Sequence, residues 1–272
     1  MQAASREALG TATEWLDAAV ADLAGERALA LADELFAVVA LLDREPTLRR
    51  ALADPTSEEA ARSGLATALL GERLSPPAME LLAAVVSSRW SRSADLIEAL
   101  QALARQAAFA AAEKDGTLDS VEDELFRFGR ILAAQPRLAG LLADRAAPLD
   151  GRTALLDELV GGKVSPVTTR LLTDAVSTAG VRGLERVVEE LSVLAADRRD
   201  RYVAHVTAAA ELTGEQEARL ARSLARVYGR QIALQVSVDP TLLGGLVVRV
   251  GEEIIDGSTL HRLELARQRF SG

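Results

Sequence analysis

The sequence has no cysteine, only two histidines and few aromatic residues, which make up 3% of its 272 positions. Without cysteine, the chain can form no disulfide and offers no thiol nucleophile or thiolate metal ligand. The two histidines, His205 and His261, lie in different predicted elements and show no metal-ligand spacing. We therefore predict no metal site and interpret both histidines as surface residues.

The sequence also lacks the features that two large classes of binding partner require. No stretch reaches the roughly 18 uncharged apolar residues that a membrane-spanning helix needs. The net charge is −9, whereas nucleic acids and anionic lipids attract clustered lysine and arginine. The one basic cluster, at 198–201, is interpreted as a solvated helix end, with contact to an acidic partner as the second reading. We predict no nucleic acid partner and no direct membrane insertion.

What the sequence does contain is a repeat with an offset of 90 residues. The tetrapeptide Asp-Glu-Leu-Phe at 33–36 recurs at 123–126, and Ser75-Pro76 recurs at 165–166. Pro46 likewise matches Pro136, and no gap is needed between the copies. Matches of Pro, Phe and Ser-Pro in one register indicate a tandem duplication. The predicted domains are an extra bundle at 1–104, a second bundle at 105–200 and a C-terminal domain at 201–272.

Each copy has the pattern of a helical bundle. Apolar residues recur at helical spacing, and the chain is rich in alanine and leucine, which favour helix. Pro46 predicts a helix end before it, and Ser75-Pro76 predicts a helix start. Ser57 is a plausible N-cap, and a long helix is predicted over 93–114. Short helices joined by short turns predict an up-and-down bundle in each copy.

The apolar period changes from helical to alternating after residue 200. Alternation predicts strands around 202–208, 232–238 and 246–250. Thr213 and Gln216 form a capping box that opens a helix, and Ser258 is placed to cap a last helix through Phe270. The predicted fold is therefore mainly α with a small α+β C-terminal domain: two tandem helical bundles followed by a β-α-β-β-α unit.

A search for reactive groups finds no catalytic set. Gly244-Gly245 precedes a predicted strand and lacks the spacings of nucleotide-binding loops, so a bulge or close backbone contact explains it better. The carboxylates at 122–124 suit the start of a helix and its dipole. We predict no catalytic residue and no cofactor.

The segment from 239 to 251, Asp-Pro-Thr-Leu-Leu-Gly-Gly-Leu-Val-Val-Arg-Val-Gly, resembles the signature of the delta subunit family of F-type ATP synthases, as do 255–258 and 262–263. The mitochondrial counterpart is the oligomycin-sensitivity-conferring protein. Pieces at 113–118, 135–138 and 162–166 are similar to parts of the family's helical domain. The resemblance covers 105–272 and leaves 1–104 as an added bundle.

The resemblance implies a mechanical role without catalysis. In this family, the helical domain binds the N-terminal helix of an α subunit, and the C-terminal domain binds the end of the b subunit. Such a subunit holds the catalytic head still while the rotor turns. It sits at the cytoplasmic face of the plasma membrane and is attached only through the complex.

The family's groove lies between the first and last helices of the bundle. Each residue placed there could simply be part of the core, which is the favoured interpretation for all of them except Trp15. In the first copy, Trp15 is the residue we expect to contact a partner, because a large aromatic residue near a chain end is a typical interface anchor. In the second copy, the residues that the resemblance places at the groove are Phe109, Leu184, Val187, Val188 and Leu191.

Two other classes of function stay open from the sequence. The duplicated bundle could be a general helical-repeat adaptor with a different set of partners. An enzyme that uses the small C-terminal domain would need a pocket joining polar groups from both parts of the chain.

Overall fold

The computed structural model describes residues 1–179, 183–200, 203–228, 232–242, 244–250 and 253–256. The chain divides into two compact units, 1–192 and 193–272. This division lies a few residues before residue 200, where the change from helical to alternating apolar spacing predicts the domain boundary. Each unit is described by itself below.

The described residues of the first unit form helices and the turns between them. Those of the first copy are α1 (Ala3–Ala21), α2 (Gly25–Arg44), α3 (Pro46–Ala53), α4 (Glu59–Leu70), α5 (Pro76–Ser87) and α6 (Ser93–Lys114). Those of the second copy are α7 (Leu118–Ala134), α8 (Pro136–Ala143), α9 (Leu149–Val160), α10 (Pro166–Thr178) and α11 (Leu184–Asp200).

The structure reproduces the repeat element by element. The short helices α3 and α8 have the same bounds at an offset of 90 residues, and so do α4 and α9. Helix α6 runs without a break across residues 104 and 105, the predicted domain boundary. It packs against α1, α2, α3 and α5 of the first copy and against α7 and α10 of the second. The two copies therefore share a helix and have no linker between them.

Equivalent polar contacts hold equivalent turns in the two copies. The carboxylate of Glu34 accepts hydrogen bonds from the backbone N–H and hydroxyl of Ser75, at 3.2 and 2.6 Å. Glu124 accepts from the backbone N–H of Ser165 at 3.0 Å. Glu34 on α2 thus fixes the start of α5, and Glu124 on α7 fixes the start of α10. The predicted N-cap at Ser57 is wrong, because α4 begins later, with Glu58 at its N-cap.

Helix α6 ends at a glycine because the backbone there requires a left-handed conformation. Gly116 has φ of +67°. Its N–H donates to the carbonyl of Glu113 at 3.0 Å, and the N–H of Thr117 donates to that of Ala112 at 2.7 Å. This pair of bonds is the Schellman motif, and glycine adopts its geometry with the least strain.

The second unit begins with the end of α11, and a small mixed sheet and one further described helix follow. These elements are β1 (Val203–Ala208), α12 (Gly214–Tyr228), β2 (Ala233–Val238), β3 (Leu246–Val250) and β4 (Glu253–Asp256). The strands lie in the order β2-β1-β3-β4, with β1 parallel to β2 and antiparallel to β3. The buried face includes Ala204, Val206, Val248 and Val250, packed with Leu224 of α12.

The sequence predicted the first three of these strands and the capping box but missed β4. The Thr213 N–H donates to the Gln216 side chain at 2.8 Å, and the Gln216 N–H donates to the Thr213 hydroxyl at 3.3 Å. Strand β4 pairs antiparallel with β3 in a segment for which the sequence analysis predicts no strand. The predicted last helix, from Ser258 to Phe270, lies outside the described residues.

Candidate partner-binding surfaces

Trp15 lies on the solvent side of α1. The side of this helix that buries Ala12, Leu16 and Val20 faces α5 and α6. The Trp15 side chain is 56% exposed, whereas Trp90, the other tryptophan, is buried and donates its indole N–H to the Val85 carbonyl at 2.8 Å. An exposed indole on a well-packed helix is a candidate contact for a partner protein.

A buried polar cluster fixes the start of α1 against the start of α6. The Ser5 hydroxyl donates to the Asp95 carboxylate at 2.7 Å and accepts from the Ser91 backbone N–H at 3.0 Å. Arg92 donates to the other Asp95 oxygen at 2.7 Å. Burial acts to raise the pKa of Asp95, but the hydrogen bonds from Arg92 and Ser5 outweigh it and leave that pKa below its ordinary value.

The other five residues expected at a groove lie inside the bundle. Val188 on α11 has no exposed surface, and a side chain at Gly129 of α7 would meet it at 3.6 Å. In this conformation, all five side chains are part of the hydrophobic core. A role for them in partner binding stays a prediction. The exposed apolar residues of α11 are Val193 and Leu194 instead. The five buried residues are Phe109, Leu184, Val187, Val188 and Leu191.

A cleft of about 530 Å³ lies between the two copies. Beside it, Arg105 on α6 forms a buried ion pair with Asp174 on α10 at 2.7 Å, and Gln101 donates to the same carboxylate at 2.8 Å. Burial raises the pKa of Asp174, although Arg105 and Gln101 oppose the shift. Across the cleft, Asp33 on α2 pairs with Arg170 on α10 at 2.7 Å. Sequence reasoning missed these pairs.

In the second unit, the described part of the signature segment comprises the connection from β2 to β3 and strand β3 itself. The Asp239 carboxylate accepts from the Thr241 hydroxyl and backbone N–H at 2.7 and 2.9 Å, and these hydrogen bonds lower the pKa of Asp239. Gly244 and Gly245 have φ of +125° and +83°, and the Gly245 carbonyl accepts from the Ala209 N–H at 3.3 Å. Both glycines thus adopt φ values that residues with a side chain rarely reach, in the turn before β3.

Comparison with known proteins decides the family. The sequence model of the ATP synthase delta (OSCP) subunit family matches residues 105–270. A Streptomyces avermitilis protein named ATP synthase subunit delta is 49% identical over 268 residues, 98% of each chain. One of the same name from Frankia alni is 49% identical over 273 residues, 98% of this chain and 99% of that one. The chain belongs to the ATP synthase delta (OSCP) subunit family.

The extra bundle of this delta-family chain is shared with these relatives. The family model covers only the second copy and the C-terminal unit, but the relatives align over nearly the whole chain. A chain in the mitochondrial ATP synthase hexamer of Toxoplasma gondii is 20% identical, with a TM-score of 0.34 over 62% of this chain and 95% of that one. That superposition is too weak to transfer structural detail.

The described part of this delta-family chain contains no group of three or more His, Asp or Glu side chains that could hold a metal ion. Among its described helices, none combines the length and the apolarity needed to cross a bilayer.

Proposed function

We propose that this chain is a non-catalytic stator subunit of a proton-translocating F-type ATP synthase. The observation that carries the proposal is its alignment with proteins named ATP synthase subunit delta over 98% or more of both lengths. In this role, the chain joins the catalytic head to the peripheral stalk, so that rotation of the rotor is coupled to ATP synthesis. Its place is the cytoplasmic face of the plasma membrane, reached through the complex.

The helical unit is the part that we assign to the head. Its partner would be the N-terminal helix of an α subunit, and the exposed indole of Trp15 supports a helix-binding role for α1. The C-terminal unit would bind the end of the b subunit. That assignment is supported by the signature segment and by the separate compactness of residues 193–272.

Truncation after Asp200 tests the assignment of the C-terminal unit. The truncated chain should keep its helical circular dichroism and its Trp90 fluorescence, because both tryptophans lie in the first unit. In calorimetry, it should no longer bind a peptide with the sequence of the C-terminal end of the stalk protein b. A folded truncated chain that binds the peptide as the intact chain does would refute the assignment.

A general helical-repeat adaptor is the second candidate, and the shared helix α6 favours it because stacked copies make an extended surface. Affinity purification of the intact chain from its own cells separates the two. Recovery of α and b subunits supports the stator role, and recovery of other partners without them supports the adaptor.

A further inference from the structure

The cleft between the two copies has the size and the lining of a small-molecule site. It lies between α2 of the first copy, α10 of the second copy and the shared helix α6, and its volume is about 530 Å³. Small-molecule sites are typically clefts of about 300–1,000 Å³ with mostly apolar walls. The apolar side chains that line this cleft are Phe36, Ala37, Val39, Ala40, Ile97 and Leu149.

The cleft is too small to hold a helix of another protein. With a diameter of about 10–12 Å and a rise of about 5.4 Å per turn, one turn of an α-helix with its side chains fills about 500 Å³. The cleft therefore offers the volume of roughly one turn. Beside it, α2 already packs along α6. Its expected occupant is a small molecule and not a protein segment.

The polar groups in the inner part of the cleft already have partners. One oxygen of the buried Asp174 carboxylate accepts from Gln101 at 2.8 Å, and the other accepts from Arg105 at 2.7 Å. An organic cation would therefore find no free carboxylate there. The hydroxyl groups along this wall donate to backbone carbonyls of α10 itself, and they belong to Thr173, Ser177 and Thr178. This part of the cleft suits an apolar body.

Two arginines give the mouth of the cleft an excess of positive charge. Arg44 and Arg145 both line the cleft and are exposed to solvent. Within the described residues, neither of them forms an ion pair. The three carboxylates of the lining each pair with another arginine: Asp33 with Arg170, Asp43 with Arg49 and Asp174 with Arg105. The chain as a whole has a charge of −9, so attraction of an anion depends on these two side chains.

We propose that this cleft binds an amphipathic organic anion. The apolar body of the ligand would lie against Phe36, Ile97 and Leu149, and Arg44 and Arg145 would hold its carboxylate or phosphate group. Guanidinium groups suit both, because each can donate two parallel hydrogen bonds to such an oxyanion. The proposal goes beyond the stator role, because joining the head to the stalk requires no small ligand.

The proposed site depends on the duplication. Phe36 and Arg44 belong to α2 of the first copy, whereas Arg145 and Leu149 lie at the start of α9 in the second. A chain without the first copy would lack one wall and one of the two arginines. A ligand that contacts both copies would hold them together, so its binding should raise the thermal stability of the first unit.

Calorimetric titration of the intact chain with sodium dodecanoate, kept below its micelle concentration, tests the proposal. We expect one saturable site and a rise in the Tm followed by Trp90 fluorescence, and dodecyl phosphate should act in the same way. Dodecyltrimethylammonium has the same chain length and the opposite charge, and it should do neither. Equal binding of this cation would overturn the proposal. Binding to phosphatidylglycerol vesicles without binding of monomeric dodecanoate would also overturn it, in favour of a membrane surface.

Charge-matched variants separate the mouth of the cleft from general attraction. The double variant Arg44→Gln, Arg145→Gln should weaken dodecanoate binding about tenfold or more, because hydrogen bonds to charged groups are lost. The control variant Arg130→Gln, Arg137→Gln removes the same charge from exposed positions on α7 and α8 that do not line the cleft, and it should bind almost normally. Equal weakening in the two double variants would overturn the proposal.

A larger side chain inside the cleft tests where the apolar body lies. Ala37 lines the cleft and is exposed, so Ala37→Phe should fill part of the space without disturbing the core. This variant should keep its helical circular dichroism and lose the rise in Tm with dodecanoate. The control Ala133→Phe adds the same side chain to an exposed position of α7 outside the cleft and should keep that rise. If Ala37→Phe binds dodecanoate as the wild type does, the ligand does not lie in this cleft.

Discussion

Substitution of Asp95 by alanine tests how the helix that carries Trp15 is held in place. Asp95 has no exposed surface and accepts the Ser5 hydroxyl at 2.7 Å, so its removal leaves a buried donor without this acceptor. A hydrogen bond to a charged group contributes about 1.5–3 kcal/mol. The Arg92 side chain is 57% exposed and returns to water, so its ion pair adds little to the loss.

The expected loss is measurable because both tryptophans report on the first unit alone. A change of 1 kcal/mol shifts Tm by about 2–4 °C in a unit of this size, so Asp95→Ala should lower Tm by about 3–12 °C. Trp90 fluorescence follows the transition, and Arg92→Ala is the control, with a much smaller shift. If Arg92→Ala lowers Tm as much as Asp95→Ala does, the stabilisation comes from the ion pair and not from the hydrogen bond with Ser5.

The same substitution predicts a pH dependence. Because the pKa of Asp95 is lowered in the folded state, its contribution to stability is present above the unfolded pKa of about 3.9. The contribution is lost as pH falls through the folded pKa. The difference in unfolding free energy between the wild type and Asp95→Ala should therefore be largest near neutral pH and shrink below about pH 4. A difference that grows on acidification would contradict the assigned direction.

Two further predictions concern the repeat and its shared helix. Glu34→Ala and Glu124→Ala should each lower the free energy of unfolding in urea by about 1–2 kcal/mol, because each removes the hydrogen-bond acceptor at the start of α5 or of α10. A loss in only one variant would show that the copies differ there. Gly116→Ala should lower the free energy of unfolding by about 1–2 kcal/mol, because φ at this position is +67°. The control is Gly140→Ala, inside α8 with open space around it, which should be neutral or stabilising. Equal losses in the two variants would contradict the need for a left-handed conformation at Gly116.

Local chemistry made much of the fold predictable from the sequence. Helix α6 has the predicted bounds, and α5 begins at Ser75-Pro76 as expected, because proline and N-cap preferences act within a few residues. The capping box at Thr213 is confirmed for the same reason. Strand β4 was missed because its exposed residues 253–256 show no inward-outward alternation, and only pairing with β3 defines it.

The polar contacts within the first unit could not be predicted in this way. Ser5 and Asp95 are 90 residues apart, and Arg105 and Asp174 are 69 residues apart. No local pattern links such partners, because the packing of whole helices brings them together. One difference between the copies was visible in the sequence. Trp15 stands at the position equivalent to Arg105, and a change from a cation to an indole indicates that this position has a different environment in the two copies.

The buried position of Val188 gives a prediction that separates core from contact. An aspartate there would place a charge where no side-chain surface is exposed, next to Gly129. We expect Val188→Asp to lose about 3–5 kcal/mol and much of the helical signal of the second copy.

Any loss of binding to a peptide with the sequence of the α subunit's N-terminal helix would, in that variant, follow from unfolding. The matched variant is Val193→Asp on the same helix, whose side chain is 53% exposed. It should change stability by no more than about 0.5 kcal/mol. If Val188→Asp keeps its Tm and circular dichroism and loses only peptide binding, Val188 is a contact residue, and the helices open to admit the partner. If Val193→Asp stays folded and loses binding, the contact lies on the exposed side of α11, and the buried residues support it from within.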